Sequence, residues 1–322
     1  GWFPKLIVRE GGSWSISETS GPNAPLSTWG SVADVFAFVW DFETLARVTA
    51  YARKRKATAH LVWLYVLYGI IELIYFNGTL LLYWSLFLHP VLSFFLGAFY
   101  TWQFAKLFMG NIKWTTGRLA IFEEGGGKSR IIAILDSWSQ WLLRPLHDGI
   151  FDLLARIPMD GTHDQTKPLH ELIAHIRLSG EKAYSFDLSA ATDRLPIWTQ
   201  AEVLHSFGFN AATEWIGIIS QRSFRVTQGY KDSIAKPISE EVSSRVVKGA
   251  TEVRYAVGQP MGAYSSWAVM ALTHHVIVQI AALRAGSTGM FRNYCLLGDD
   301  IVIAGEAVAM KYLEVMTELG VG

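Results

Sequence analysis

Two adjacent carboxylates, Asp299 and Asp300, follow Gly298 between apolar runs that include Tyr294, Leu296, Ile301 and Val302. Aspartate is a poor strand former, and paired negative charge at such a place costs stability unless a cation offsets the repulsion. A hard metal ion would do so. A third carboxylate, Asp187, ends the strand-like run Ala-Tyr-Ser-Phe-Asp-Leu (183–188), and Asp193 follows six residues later. Phosphoryl transfer by two metals needs carboxylates from separate elements converging on ions roughly 3.5–4 Å apart. Asp187 and Asp299 can supply that pair. The plainer readings are that Gly and Asp are simply turn formers, and that Asp193 pairs with Arg194 or caps a helix.

Two further stretches suit an anionic substrate. In Gly258-Gln259-Pro260-Met261-Gly262-Ala263-Tyr264-Ser265-Ser266, the glycines permit close backbone approach. Ser265 and Ser266 offer hydroxyls at a helix start, a setting fit for sugar and phosphate contacts or for an ordinary capped loop. Glu123-Glu124-Gly125-Gly126-Gly127-Lys128-Ser129-Arg130 suggests a P-loop, but that motif needs glycine where Phe122 stands. What remains is a turn followed by Lys128 and Arg130 at alternate strand positions. They point to one face and can hold a triphosphate.

The elements that must position these groups are legible in outline. Residues 183–188 read as a strand, Ala263 to Arg284 as a long helix ended by Gly286, and Arg292 to Leu297 with Ile301 to Ala304 as a β-hairpin tipped by acidic residues. His274 and His275 are adjacent and diverge on that helix. His170 and His175 lie five apart with no partner motif, so the histidines read as packing or hydrogen-bonding groups and not as zinc ligands.

The chain has 322 residues, with 28 basic and 28 acidic side chains, 51% apolar residues and 13% aromatic ones. This suits roughly two domains or one multi-lobed fold and excludes a disordered tail and a small stapled scaffold. The balanced charge argues against a nonspecific nucleic-acid coat, though it can conceal a basic channel beside an acidic metal site. The lone Cys295 excludes an internal disulfide framework, and no stretch at the start reads as a signal peptide, which points to an intracellular address. Gly1 to about Ala50 reads as loops around short helices. Arg53-Lys54-Arg55-Lys56 then precedes a run, Leu61 to Leu88, in which Glu72 alone is formally charged. The run is long enough to span a bilayer, but Gly78 and Pro90 cut it to core-helix lengths. The expectation for residues 61–109 is burial in the protein with at most peripheral membrane contact.

The order of Lys128 and Arg130, Asp187 to Asp193, Gly258 to Ser266 and Gly298-Asp299-Asp300 resembles motifs F, A, B and C of viral RNA-dependent RNA polymerases. Asp-Leu-Ser-Ala-Ala-Thr-Asp-Arg-Leu-Pro (187–196), Gly-Gln-Pro-Met-Gly-Ala (258–263), Leu-Thr-His-His (272–275) and Asp160-Gly161-Thr162-His163-Asp164-Gln165 are similar to the mitoviruses. These are capsidless positive-strand RNA elements that replicate in mitochondria, mostly of fungi and also of plants. Specific matches run from about Gly117 to Val321; before Gly110 the resemblance is weak.

The resemblance implies an α+β right-hand polymerase with palm and fingers, an antiparallel palm sheet and a thumb largely missing. It divides the chain into an N-terminal region with an apolar helical segment (1–110), fingers with the triphosphate-binding motif F (111–180), and palm with motifs A, B, C and the start of D, including finger insertions (181–322). It makes Asp187 and Asp299 ligands of two Mg2+ or Mn2+ ions, with Asp300 a supporting carboxylate at the metals. Asp193 reads the incoming ribose hydroxyl, Gly262 and Ser266 lie against nucleotide and template, and Lys128 and Arg130 lie against the triphosphate. Two departures matter. Met270 stands where many relatives place a ribose-reading Asn, and Phe122 stands where mitovirus relatives commonly carry a basic residue.

The implied activity is that of an RNA-directed RNA polymerase, a nucleotidyltransferase replicating a positive-strand RNA virus genome in the host mitochondrion. Its partners are template RNA and ribonucleoside triphosphates. Both ends read as cut, with the chain stopping within motif D, so the general-acid lysine and thumb fall outside and a fragment this short is not assured activity alone. One rival is a reverse transcriptase-like palm, which usually has an aromatic residue where Leu297 stands. The other is a membrane-anchored non-catalytic fragment built on residues 61–109, which leaves Asp187, Asp299 and Asp300 without a role.

Overall fold

Asp41 separates two helices, α1 (Ser27–Trp40) and α2 (Phe42–Lys54). One carboxylate oxygen accepts the Thr44 N–H at 3.0 Å, capping α2, and the other accepts the Thr116 hydroxyl at 2.7 Å. The expectation of loops around short helices gives way here to elements of 14 and 13 residues. The reason is that α1 has one formally charged side chain, Asp34, and that side chain is buried. Without an alternating polar face, the helical period does not show in the sequence. The computed structural model describes residues 2–14, 21–23, 27–69, 114–124, 128–226 and 252–321. A helical stretch at 58–69 buries Leu64 and exposes Val62, Trp63, Tyr65 and Val66. The rest of the 61–109 run, with Glu72, Gly78 and Pro90, lies outside the described residues.

The chain continues through β1 (Gly117–Glu124) and β2 (Lys128–Leu135), an antiparallel hairpin with Phe122 opposite Arg130. Then come α3 (Ser137–Leu154), α4 (Thr166–Ser179) and β3 (Ala183–Asp187). Next are α5 (Ala191–Arg194), α6 (Ile197–Ser206) and α7 (Ala212–Ile219). Strand β4 (Phe224–Val226) lies parallel to β1 and carries β5 (Glu252–Val253), so the first sheet has the order β2-β1-β4-β5. Helix α8 (Ser266–Arg284), strands β6 (Tyr294–Leu297) and β7 (Asp300–Ala304), and helix α9 (Glu306–Glu318) follow. The second sheet has the order β3-β7-β6 and is antiparallel throughout.

Helix α8 packs against α9, α3, α5, α6 and β6. It is long and apolar enough to cross a bilayer, but most of it is buried within the protein, as expected of a core helix apolar on every side. Its Thr273, His274, His275 and Gln279 are buried with it. Apolar side chains from Leu6 to Val321 join one contiguous cluster around it.

A buried ionic group ties the first sheet to α1 and α3. Arg222 meets Asp136 at 2.6 Å with both side chains fully buried, and also donates to the Thr116 carbonyl and the Ser139 hydroxyl. Asp136 in turn caps α3 through the Ser139 N–H at 2.8 Å. Asp34 accepts from the Ser137 N–H and the Asn23 amide, each at 2.8 Å. Burial, and then the neighbouring Asp136 charge, push the Asp34 carboxyl up to about 7.

Candidate active site

Asp187 ends β3 and pairs with Asp300, the first residue of β7, which pairs on its other side with Leu297. The hairpin therefore turns on two residues, Gly298 and Asp299, and Asp300 belongs to the strand and not to the tip. Gly298 takes φ +63°, and a Cβ there would come within 2.9 Å of the Trp267 indole nitrogen. A two-residue hairpin opened by a positive φ favours glycine, and the close indole leaves no room for a side chain. Desolvation, then the charges of Asp299 and Asp187, raise the Asp300 carboxyl above its ordinary range.

Beside this turn lies a cavity of about 650 Å³ whose lining includes Arg130, Asp193, Gly262, Ser266, Met270 and Asp299. Residues from β2, α5, the 258–266 loop, α8 and the hairpin thus meet at one place. Asp187 and Asp300 are exposed and lie outside this lining, and Lys128 opens β2 two positions from Arg130. Asp193 stands inside α5 and not at its N-cap.

The 258–266 loop is gripped from three sides. Gly258 lies against α5, where a Cβ would sit 2.1 Å from the Thr192 carbonyl oxygen. The loop is tied to β2 by the Ala133 N–H donating to the Met261 carbonyl at 2.7 Å. There Gly262 has φ +110°, and a Cβ would meet the Ala133 oxygen at 2.6 Å.

The third side is α3. Gln140 donates to the Gly262 carbonyl at 3.0 Å and accepts the Tyr264 N–H at 2.8 Å. Arg144 donates to the Tyr264 hydroxyl at 2.9 Å. His147, also in the cavity lining, accepts the Ser265 N–H at Nδ1 over 3.4 Å, so the ring proton sits on Nε2. Burial lowers the His147 pKa. The Phe151 and Trp267 rings lie 5.5 Å apart. Residues 140, 144, 147 and 151 form one helical stripe, a spacing visible in the sequence, where nothing distinguishes a stripe that faces a loop from one that faces solvent.

The paired histidines are hydrogen-bonding groups, as the sequence suggested. His274 Nδ1 lies 2.8 Å from the Gly298 carbonyl and Nε2 lies 2.7 Å from the Tyr312 hydroxyl. A carbonyl only accepts, so Nδ1 carries the proton and Nε2 accepts from Tyr312. Burial pushes the His274 pKa down to about 4 and keeps the ring neutral. His275 joins the Tyr294 hydroxyl at 2.8 Å to the Asp160 carboxylate at 2.9 Å. The Asp160 segment itself runs along the β6 edge, with Gly161 N–H donating to Leu296 O and Leu296 N–H to Met159 O.

Among the described residues, no three His, Cys, Asp or Glu side chains are grouped to hold a metal ion between them. The strand register sets Asp187 beside Asp300, and Asp299 precedes Asp300 in the turn, so that, after desolvation, the charges of both raise the Asp300 carboxyl, while the three side chains, all hard oxygen donors, are not drawn together as a ligand set. That donor chemistry fits Mg2+ or Mn2+.

The family described as mitovirus RNA-dependent RNA polymerase matches residues 9–322. The chain is 39% identical over 252 residues to the RNA-directed RNA polymerase of Cryphonectria parasitica mitovirus 1, covering 76% of this chain and 27% of that protein. It therefore spans about a quarter of the length of that relative. An uncharacterized mitochondrial protein of Arabidopsis thaliana is 38% identical over 175 residues, covering 52% of this chain and 61% of its own. A second such protein is 32% identical over 166 residues, covering 52% and 72%. Among solved structures, the RNA-dependent RNA polymerase of a human picorbirnavirus aligns over 64% of this chain and 39% of its own, with a TM-score of 0.44 and 15% identity.

Proposed function

Since the chain belongs to the mitovirus RNA-dependent RNA polymerase family, we propose that it carries the nucleotidyl-transfer centre of an RNA-directed RNA polymerase. The observation behind this reading is that Arg130, Asp193, Ser266 and Asp299, drawn from four separated segments, line one cavity beside a carboxylate-bearing hairpin. In this reading the β3-β7-β6 sheet is the palm of a right-hand polymerase, and residues 111–180 belong to the fingers.

The reaction is attack of a primer or initiating 3′-hydroxyl on the α-phosphate of a ribonucleoside triphosphate paired to template RNA, with release of pyrophosphate. Arg130, with Lys128, meets the triphosphate as fixed positive charge. Asp193 accepts from the ribose hydroxyl, a role Met270 cannot share because a thioether offers no strong acceptor or donor. Gly262 and Ser266 lie against nucleotide and template. Asp187 and Asp299, supported by Asp300, would hold two Mg2+ or Mn2+ ions, which supply charge neutralisation at the attacking and leaving oxygens. The rest of the catalytic work is positioning by the rigid loop and α3 contacts.

The test is template-dependent incorporation by the protein expressed from its complete reading frame, with labelled nucleotides, RNA or DNA template, and Mg2+ or Mn2+. Incorporation of ribonucleotides on RNA supports the reading. Preference for deoxynucleotides on RNA would favour a reverse transcriptase-like enzyme instead. The proposed site of replication is the host mitochondrion. UGA codons at some of the 13 tryptophan positions in the encoding RNA would support mitochondrial translation.

A further inference from the structure

Gln200 and Gln259 are both fully buried, and neither lines the cavity. Their amides meet at 2.6 Å, Gln259 Nε2 donating to Gln200 Oε1. The same Nε2 donates to the Ser266 carbonyl at 2.8 Å, while Gln200 Nε2 donates to the Leu195 carbonyl at 3.0 Å. Three carbonyl-type acceptors fix which end of each amide is nitrogen, so the orientation follows from the bonding partners. The Gln259 backbone N–H donates to the Thr192 carbonyl at 2.8 Å. Asp193 is thereby bracketed: the residue before it is held by the Gln259 backbone, and the carbonyl two positions after it is held by Gln200. The third arm reaches the first residue of α8, which is Ser266.

We propose that the Gln200–Gln259 pair is a positioning device for ribose selection, holding the Asp193 backbone at a fixed separation from Ser266 across the cavity. The inference rests on the proposed polymerase reading, in which Asp193 meets the ribose. Neither glutamine touches the substrate. The arrangement carries a cost, because Gln259 Oε1 is left buried without a partner, and an orphaned buried polar group is destabilising. An apolar pair of similar volume would remove that orphan, at the cost of the Gln200 donor to the Leu195 carbonyl.

The experiment compares Gln200→Met, Gln259→Met and the double variant with wild type in the protein from its complete reading frame. The ratio of incorporation efficiencies for matched ribo and deoxy triphosphates is measured beside thermal melting and amide hydrogen exchange. Each single variant strands an amide and melts lower. The double variant removes both amides and recovers part of that loss. A device that only stabilises the fold would show the ratio recovering with the melting temperature. A positioning device leaves the ratio roughly 10-fold below wild type in the double variant, a loss of the size that small misplacements produce. It also speeds exchange at the Gln259 and 191–195 amides. A folded double variant with a wild-type ratio overturns the proposal. Should wild type incorporate nothing, the polymerase reading fails on its own account, and exchange decides the bracket: unchanged protection at 191–195 in the folded double variant refutes it.

Discussion

Gly258 presses on the backbone of Thr192 so closely that a Cβ would stand 2.1 Å from the Thr192 carbonyl oxygen and 2.6 Å from that of Asp193. Backbone atoms cannot swing aside as a flexible side chain can. Gly258→Ala is therefore expected to cost at least about 3 kcal/mol, the upper end for overpacking, and to lower the yield of folded protein. Chemical denaturation measures it, and a cost below 1 kcal/mol would mean that α5 and the loop separate easily.

Asp299→Asn is expected to abolish nucleotide incorporation while leaving the melting temperature near wild type. Asp299 is half-buried in the turn, Asn keeps its size and shape, and the Asp299 charge is felt at Asp300. Primer extension near the wild-type rate in magnesium would remove Asp299 from the catalytic centre.

Asp193→Ala is expected to lower ribo-over-deoxy selectivity by roughly 10- to 100-fold, the worth of one hydrogen bond to a charged acceptor in a site built around it. Met270 lines the same cavity and offers no replacement. Paired kinetics with matched triphosphates read the ratio; no change, with activity still measurable, would assign ribose reading elsewhere.

Much of this centre was legible because its residues come in short words. Asp187 to Asp193, Gly258 to Ser266 and Gly298 to Asp300 each hold their chemistry within ten positions, and local spacing carries that. The hairpin ends were nearly right, with Asp300 shifted from tip to strand because pairing with both Asp187 and Leu297 draws it into the sheet. What could not be read were contacts between distant segments. Gln200 and Gln259, or Arg222 and Asp136, have no periodic relation in the sequence, and a buried arginine looks the same there as an exposed one. The α3 stripe was readable in spacing but not in purpose, since only the fold shows that Gln140 faces a loop and not water.

The Asp34 carboxyl gives a pH signature. Its folded pKa of about 7 exceeds the ordinary value of 3.8, so between those values the native state holds a proton that the unfolded state has lost. Its contribution to stability therefore falls as pH rises from about 4 to about 7. The melting-temperature difference between wild type and Asp34→Asn should shift against wild type across that window. A constant difference would show that Asp34 does not titrate there.

His274 gives the opposite sign. Its pKa falls from 6.5 to about 4 on folding, so the unfolded state takes up a proton first as pH drops. The stability tied to the neutral ring is complete above pH 6.5 and is lost towards pH 4, by up to roughly 3 kcal/mol. His274→Gln should lose least, relative to wild type, at the acid end. A deficit independent of pH would show that folding does not depress the His274 pKa.

The pairing of β3 with β7 joins residues 183–187 to residues 300–304, and this separation has a bearing on biosynthesis. The hairpin of β6 and β7 can close on its own within microseconds, but β3 leaves the ribosome more than a hundred residues before the strand that completes it. At 5–20 residues per second that interval is on the order of ten seconds. For that time the edge of β3 is open and Asp187 has no counterpart. The three carboxylates come together only after α8 has been translated, so a ribosome that stops short of β7 releases a chain with most of its core and no assembled acidic centre.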